Sequence, residues 1–199
     1  MIVRDNPFNM NQIVSLFLVF LLWSCADRPA NHLPEKSYVD VVDFAGSDTL
    51  FRIPAGEYEP GADFCYVDQR GDTIVPYGQF SYSFTDTIVT FGIVMESAET
   101  GPELVGINQK GQRLYEVYLF DNGPDYVEEG MFRIKRNGKT GFADTAGQIV
   151  IAPQFECAYP FSGGKAKVAY DCTLTTEADH TDMKSESRFY IDQQGRKIN

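Results

Sequence analysis

The residues best suited to chemistry in this 199-residue chain are carboxylates, which gather in a few segments. One oxygen-rich segment runs from Asp121-Asn122-Gly123-Pro124 to Asp125, Glu128 and Glu129. Carboxylate and carbonyl oxygens are the ligands that Ca²⁺ takes. The spacing matches neither the EF-hand nor the RTX pattern, and Asx-Gly-Pro is also an ordinary turn sequence. We therefore predict no metal and no cofactor; the candidate ligands, were a metal to bind, are Asp121, Asp125, Glu128 and Glu129.

The chain lacks the motifs by which many enzymes are recognised. It holds no Gly-x-Ser-x-Gly, no His-Glu-x-x-His and no phosphate-binding glycine loop. Of its two histidines, His32 lies in a segment that we interpret as a tether, and His180 lies in Asp179-His180-Thr181-Asp182, which is typical of a solvated turn. We predict a non-catalytic protein. The alternatives are a hydrolase that uses a carboxylate pair, as glycosidases do, and a protein with a purely structural role.

Four short turns organise the sequence into a repeat. In each turn an Asp or Asn follows an apolar segment, and a glycine stands three positions later. The Asx side chain bonds its own backbone two residues on, and glycine supplies a positive φ. With β-branched and aromatic residues on both sides, each turn is predicted to join two strands. The four pairs are Asp68 and Gly71, Asn108 and Gly111, Asp144 and Gly147, and Asp192 and Gly195.

The third copy is the clearest repeat unit. Met131–Arg136 alternates apolar and polar residues, Asn137-Gly138 is a strong hairpin signal, Lys139–Asp144 returns, and residues 148–152 follow the turn. We name these three strands A, B and C. The same unit predicts strands A, B and C at Thr49–Ile53, Phe64–Asp68 and Asp72–Tyr77 in the first copy, at Phe91–Met95, Leu104–Asn108 and Gln112–Phe120 in the second, and at Lys165–Tyr170, Arg188–Asp192 and Arg196–Asn199 in the fourth, with an extra strand at Tyr38–Phe44 that can pair with the first A strand.

The connections between strands A and B carry most of the variation and most of the charge. They contain two residues in the third copy but ten, eight and sixteen elsewhere, at Pro54–Asp63, Glu96–Glu103 and Cys172–Ser187. These three segments, here called the acidic insertions, hold ten acids against one base, Lys184. Equivalent connections of stacked repeats emerge along one edge, which is often the binding edge.

We predict that the acidic insertions recruit a basic or cationic partner, with an aromatic side chain as an additional contact. The alternative is that acidic loops keep a β-rich surface soluble and its strand edges unpaired. The partner-binding candidates are Tyr58, Glu57, Glu59, Glu96, Glu99, Glu177, Asp179 and Asp182.

The repeat resembles the WG repeat family, also called KWG repeats. Its units run roughly as Gly-x-Ala-x-Val, Trp-Gly-Tyr-Ile-Asp, a turn glycine, an apolar strand with proline, an aromatic residue and a Phe-x-x-Gly link. Residues Thr140–Phe155 and Phe161–Val168 match this pattern, although Thr140 stands in the place of the signature tryptophan. Over residues 49–199 the resemblance implies an all-β array of antiparallel three-stranded meanders, arranged as an open twisted array, a sandwich or a propeller-like closure. It implies no catalytic residues.

The first residues resemble a bacterial lipoprotein signal peptide. Ile13–Trp23 is apolar apart from Ser15 and is too short to span a membrane, and Ser24-Cys25 follows it. We predict that residues 1–24 are the signal peptide, that Cys25 is lipidated, that residues 25–37 are a tether and that residues 38–199 are a single domain. The lipid would attach the protein to a membrane of the bacterial cell envelope. An ordinary cleaved signal peptide is the alternative.

The net charge narrows the classes of partner that the protein can bind. The net charge is −11, which argues against nucleic acid because phosphate binding needs clustered Lys and Arg. The expected partners are the membrane, through the lipid, and an envelope protein or glycan.

Besides Cys25, the odd number of cysteines allows one disulfide at most. A Cys157–Cys172 bridge and burial of Cys65, Cys157 and Cys172 as small apolar residues are both open.

Overall fold

The computed structural model describes residues 37–39, 48–57, 61–98, 101–177 and 180–198, and these residues form strands and turns without a helix. The predicted all-β fold is therefore confirmed. Within this part of the chain no helix is long and apolar enough to cross a membrane. The strands are β1 (Leu50–Pro54), β2 (Phe64–Val67), β3 (Thr73–Val75), β4 (Tyr82–Ser83), β5 (Thr87–Ile88), β6 (Phe91–Ala98), β7 (Gly101–Asn108), β8 (Arg113–Val117), β9 (Leu119–Phe120), β10 (Gly123–Pro124), β11 (Met131–Arg136), β12 (Lys139–Asp144), β13 (Ile149–Phe155), β14 (Cys157–Ala158), β15 (Lys165–Ala169), β16 (Thr173–Glu177), β17 (His180–Lys184), β18 (Phe189–Asp192) and β19 (Lys197–Ile198).

Each predicted A–B–C unit is an antiparallel meander. The first copy is β1, β2 and β3, in a sheet of order β3-β2-β1-β5. The second and third copies, β6–β8 and β11–β13, share a seven-stranded sheet of order β13-β12-β11-β8-β7-β6-β4. The fourth, β15, β18 and β19, lies in a sheet of order β14-β15-β18-β19. The strand orders have free ends, so the array is open.

Neighbouring copies are joined by shared cores. A single meander cannot bury its apolar face alone, so each copy packs on the next. Three clusters lie between copies one and two, two and three, and three and four. Their buried members include Leu50, Tyr66, Ile88 and Val105 in the first, Leu114, Tyr115, Phe132 and Ile134 in the second, and Phe142, Phe155, Phe161 and Ile191 in the third.

The four Asx-x-x-Gly turns share one hydrogen-bond pattern. Oδ1 of Asp144 accepts the amides of Ala146 and Gln148, each at 2.9 Å. The Gly147 amide donates to the Asp144 carbonyl at 2.9 Å, and Gly147 has a φ of 84°. The same bonds recur at Asp68, Asn108 and Asp192, and the glycines Gly71, Gly111 and Gly195 also have positive φ. These residues close the B–C corners of all four copies.

Two acidic insertions are hairpins, which their composition did not predict. Strands β6 and β7 continue through the second insertion, so that Glu96 pairs with Glu103 across the ladder. The fourth-copy insertion forms the separate hairpin β16–β17. Within each hairpin the backbone groups that face the other strand are hydrogen-bonded across the ladder.

A disulfide joins Cys157 in β14 to Cys172, just before β16, while Cys65 is a buried free thiol. The bridge closes a 15-residue separation and attaches the base of the β16–β17 hairpin to the fourth copy. Of the two arrangements that the cysteine count allowed, the structure therefore has the Cys157–Cys172 bridge and not three buried thiols. Of the extra strand predicted at Tyr38–Phe44, the described residue Val39 donates its amide to the Arg113 carbonyl of β8 at 3.1 Å, and so lies beside the second copy instead of β1.

Candidate binding cleft

The predicted partner-binding residues are only partly within the described residues. Glu57 is exposed in the turn after β1, and Glu96 lies in β6. The backbones of Glu177 and Asp182 lie in β16 and β17, but their side chains are outside the described part. Cys25, Tyr58, Glu59, Glu99 and Asp179 also lie outside it.

The far end of the β6–β7 hairpin extends beyond both neighbouring strands. Strand β8 pairs with β7 from Val105 to Ile107, and β4 pairs with β6 at Val94 and Met95. The pairs from Glu96 and Glu103 outward therefore lie past the flanking strands. This geometry presents one acidic insertion as an ordered projection from the seven-stranded sheet.

Arg113, the first residue of β8, gathers the acids at the base of this projection. Its Nη1 lies 2.5 Å from Oε2 of Glu96, and its Nη2 lies 3.0 Å from Oε2 of Glu103 and 3.5 Å from Oε1 of Glu116. The guanidinium carbon is 5.5 Å from the Tyr38 ring centroid, and the Tyr38 hydroxyl donates to Glu116 at 2.9 Å. Two acids of the insertion thus share one cation.

Sequence reasoning missed Arg113. It follows the B–C corner of the second copy, while Glu96 and Glu103 precede it by 17 and 10 residues. Only the antiparallel pairing of β6, β7 and β8 brings them together. A lone arginine at the start of a predicted strand carries no signal of such a cluster.

A cleft of about 390 Å³ opens beside Arg113. Its apolar lining is Val39, Phe80 and Val105. Its polar lining includes a guanidinium, a carboxylate, a hydroxyl and two side-chain amides. These groups belong to Arg113, Glu96, Ser37, Gln79 and Gln112. The Nε of Arg113 is buried and has no hydrogen-bond acceptor among the described residues. The cleft therefore offers both donors and acceptors above an apolar surface.

The four candidate metal ligands do not form a cluster. Both carboxylate oxygens of Asp125 are bound by the Arg133 side chain. The Glu129 carboxylate accepts the Gly164 amide at 3.0 Å and contacts Gln193 at 3.3 Å, which joins the third copy to the fourth. Asp121 and Glu128 are exposed turn residues. In the described ranges no three His, Cys, Asp or Glu side chains are placed to hold a metal ion.

A second hollow lies at the base of the β16–β17 hairpin. It measures about 580 Å³ and includes Asp171, Cys172, Lys184 and Glu186 in its lining. The Ser187 hydroxyl, bound to the Asp171 carboxylate, lowers the pKa of that carboxyl. The Asp171 carboxylate in this hollow is already bonded to the Ser185 and Ser187 hydroxyls.

An exposed apolar surface lies between the second and third copies. The Phe120 and Tyr126 rings are in edge contact, with centroids 5.3 Å apart. The surface consists of Leu119, Phe120, Tyr126 and Val127, each about half exposed. The ring contact joins Phe120 of β9 to the segment that leads into β11.

The fold and the cleft define an open all-β repeat array with acidic hairpin projections. A model of the WG containing repeat matches residues 141–171, from β12 through β15 to the residues after it. The match supports a WG repeat over that segment, which is the third B–C unit and the next A strand. No curated protein and no solved structure matches the chain.

Proposed function

We propose that this protein is a lipid-anchored binding or assembly module of the bacterial cell envelope, without catalytic activity, and that the acidic insertions contact its partner. The observation that carries the proposal is the strand pairing of the described residues in two of the three insertions. One extends β6 and β7 past their neighbours, and another forms β16–β17. An ordered projection loses little conformational entropy on binding, which favours affinity.

The disulfide supports an exported location. Disulfides persist in oxidising compartments and are rare in the cytosol. The Cys157–Cys172 bridge is therefore consistent with the signal peptide that the sequence resembles. Lipidation of Cys25 would then hold the domain at a membrane surface.

The lipid attachment is tested by Cys25→Ser in the producing cell. We expect the variant to move from the membrane fraction to the soluble fraction, while Cys65→Ser, at a buried free thiol, leaves the distribution unchanged. A Cys25→Ser protein that still sediments with membranes would refute the lipid anchor without bearing on the binding role.

The binding role is tested by crosslinking in intact envelopes followed by recovery of the protein. In the test variant Asn-Gly replaces residues 174–183, which removes the hairpin but keeps Cys172 and its bridge. We expect the recovered partners to fall at least tenfold. Glu128→Gln, an exposed acid outside the insertions, is the matched control. Unchanged recovery with the shortened chain would mean that the fourth-copy insertion does not bind the partner.

The alternative function is a carboxylate hydrolase, and the observation in its favour is that Glu96 lines the cleft. We prefer binding because Glu96 and Glu103 both engage Arg113. Glycosidases use two carboxylates that flank the bond, whereas Glu96 is the one carboxylate among the described residues that line the cleft. Release of reducing sugar from envelope glycans, abolished by Glu96→Gln, would reverse this preference.

A further inference from the structure

We propose that the cleft beside Arg113 binds one sugar unit of a neutral, polyhydroxylated envelope glycan. The inference rests on the proposed binding function and names a chemical class of ligand for one of its surfaces. The cleft lies at the base of the β6–β7 projection, where Glu96 belongs both to the acidic insertion and to the cleft lining.

The charges of the cleft favour a neutral ligand. Glu96 and Arg113 are in direct contact at 2.5 Å, so an incoming cation would meet the guanidinium and an incoming anion would meet the carboxylate. A sugar hydroxyl both donates and accepts a hydrogen bond. Adjacent hydroxyls of one ring can therefore bond to Glu96 and Arg113 together without displacing their ion pair.

The Arg113 guanidinium is largely occupied within the protein. Each of its two Nη atoms has a carboxylate within 3.0 Å. Its Nε is buried without an acceptor in the described part of the chain, and a buried donor without a partner costs free energy. Because this Nε is covered by its neighbours, the hydrogen bonds that a ligand finds first are those of Glu96 and of the side-chain amides.

The remaining lining suits a sugar ring. Gln79 and Gln112 each offer an amide with both donors and an acceptor. The Gln112 Oε1 already accepts from Asn108 at 3.0 Å, which orients its NH₂ as a donor. Val39 is the partly exposed apolar residue of the cleft and can contact the C–H face of a ring, while Phe80 and Val105 are buried behind the lining. A volume of about 390 Å³ is at the small end of ligand sites, which fits a single unit of a longer chain.

The test is calorimetric titration of the mature lipidated chain in a detergent without a sugar headgroup. The probes are neutral disaccharides with and without N-acetyl groups, lysine amide as a cation and inorganic phosphate as an anion. We expect saturable binding of at least one disaccharide with a dissociation constant on the order of 1 mM, and no comparable binding of the charged probes. Binding of lysine amide or phosphate alone would overturn the proposal, as would the absence of binding by every disaccharide.

Two variants locate the site. Glu96→Gln removes the charge but keeps the shape, and Gln79→Ala alters an exposed residue outside the ion cluster, so that both are compatible with folding. Each should weaken disaccharide binding about tenfold, while Glu128→Gln, an exposed acid outside the insertions, leaves it unchanged. Equal affinity in all four proteins would place the sugar elsewhere and overturn the assignment. If the unmodified protein binds no disaccharide but loses its crosslinked partners when the fourth-copy hairpin is removed, this inference alone fails. If it binds a disaccharide but keeps its crosslinked partners without that hairpin, the proposed function alone fails.

Discussion

Arg133 and Asp125 form an almost fully buried ion pair, with Arg133 Nη2 2.6 Å from Asp125 Oδ1 and with 3% and 2% of the respective side chains exposed. The Arg133 backbone amide and Nε both donate to Oδ2 at 2.9 Å. The guanidinium carbon is 3.9 Å from the Tyr118 ring centroid, and Nη1 donates to the Ala158 carbonyl at 3.2 Å. The pair thus joins β11, the segment that leads into it, and β14 beside the fourth copy.

The first prediction concerns this pair. Asp125→Ala leaves a buried guanidinium without its counter-ion, which typically costs about 3–5 kcal/mol of unfolding free energy. Replacing both partners with apolar residues, as in Asp125→Leu with Arg133→Met, should cost less than Asp125→Ala alone. Urea denaturation followed by circular dichroism measures both. Glu128→Ala, at an exposed acid of the same segment, is the control. A double variant less stable than the single one would show that the pair is not the dominant interaction there.

The second prediction is an acid dependence of stability that arises at the B–C corners. The Arg70 side chain, bonded to Asp68 at 2.8 Å, holds the pKa of Asp68 below the ordinary value of 3.8. At Asp192 burial favours the neutral form, but the amide and side chain of Arg196 outweigh it, so its pKa is also lowered. A carboxyl group whose pKa is lower in the folded state than in the unfolded state stabilises the fold at pH values above its unfolded-state pKa. This contribution is lost as the pH falls through the folded-state pKa.

We therefore expect the urea midpoint to fall when the pH is lowered from about 6 to about 3, across the ordinary aspartate pKa. Asp68→Asn removes the titrating group but retains an acceptor oxygen, as Asn108 does naturally. The variant should lose less stability across that interval than the unmodified chain, whereas Glu57→Gln should behave like the unmodified chain. Parallel pH profiles for all three proteins would show that Asp68 does not contribute.

The third prediction concerns Gly141, which lies in β12 and is the first residue of the segment matched to the WG repeat. A Cβ there would lie 2.4 Å from the Ile151 carbonyl oxygen and 2.6 Å from the Pro153 nitrogen. These are backbone atoms of β13, so the strand itself would have to move. Gly141→Ala should cost about 3 kcal/mol by overpacking. Gly123→Ala, where a Cβ meets open space, should change the urea midpoint little. Similar midpoints for the two variants would refute the close approach of β13.

The fourth prediction concerns the disulfide. Its loop of about 15 residues implies a stabilisation of about 3 kcal/mol from restriction of the unfolded chain. The double variant Cys157→Ala with Cys172→Ala should show this loss in thermal or urea unfolding, and Cys65→Ala should show a loss set only by packing. Alkylation after unfolding without reductant should label Cys65 but neither bridged cysteine. Labelling of Cys157 or Cys172 would mean that the bridge does not form in the cell.

The repeat pattern predicted the meanders closely because it depends on local chemistry. Strands A, B and C of the third copy were predicted at 131–136, 139–144 and 148–152, and the structure has β11, β12 and β13 at Met131–Arg136, Lys139–Asp144 and Ile149–Phe155. The two-residue strands β4, β5, β10 and β14 were not predicted. Strands so short have no detectable alternation, and they form because a neighbouring edge offers partners.

Local chemistry by itself determined the all-β class, the four repeat units and their corners, because an Asx residue and a glycine three positions apart, between two apolar segments, favour a turn. Tertiary structure decided what the charged residues do. Arg113 collects Glu96, Glu103 and Glu116, and Arg133 binds Asp125, although only pairing between strands makes these residues neighbours. Electrostatic contacts depend on distance in space, and the order of the strands sets that distance.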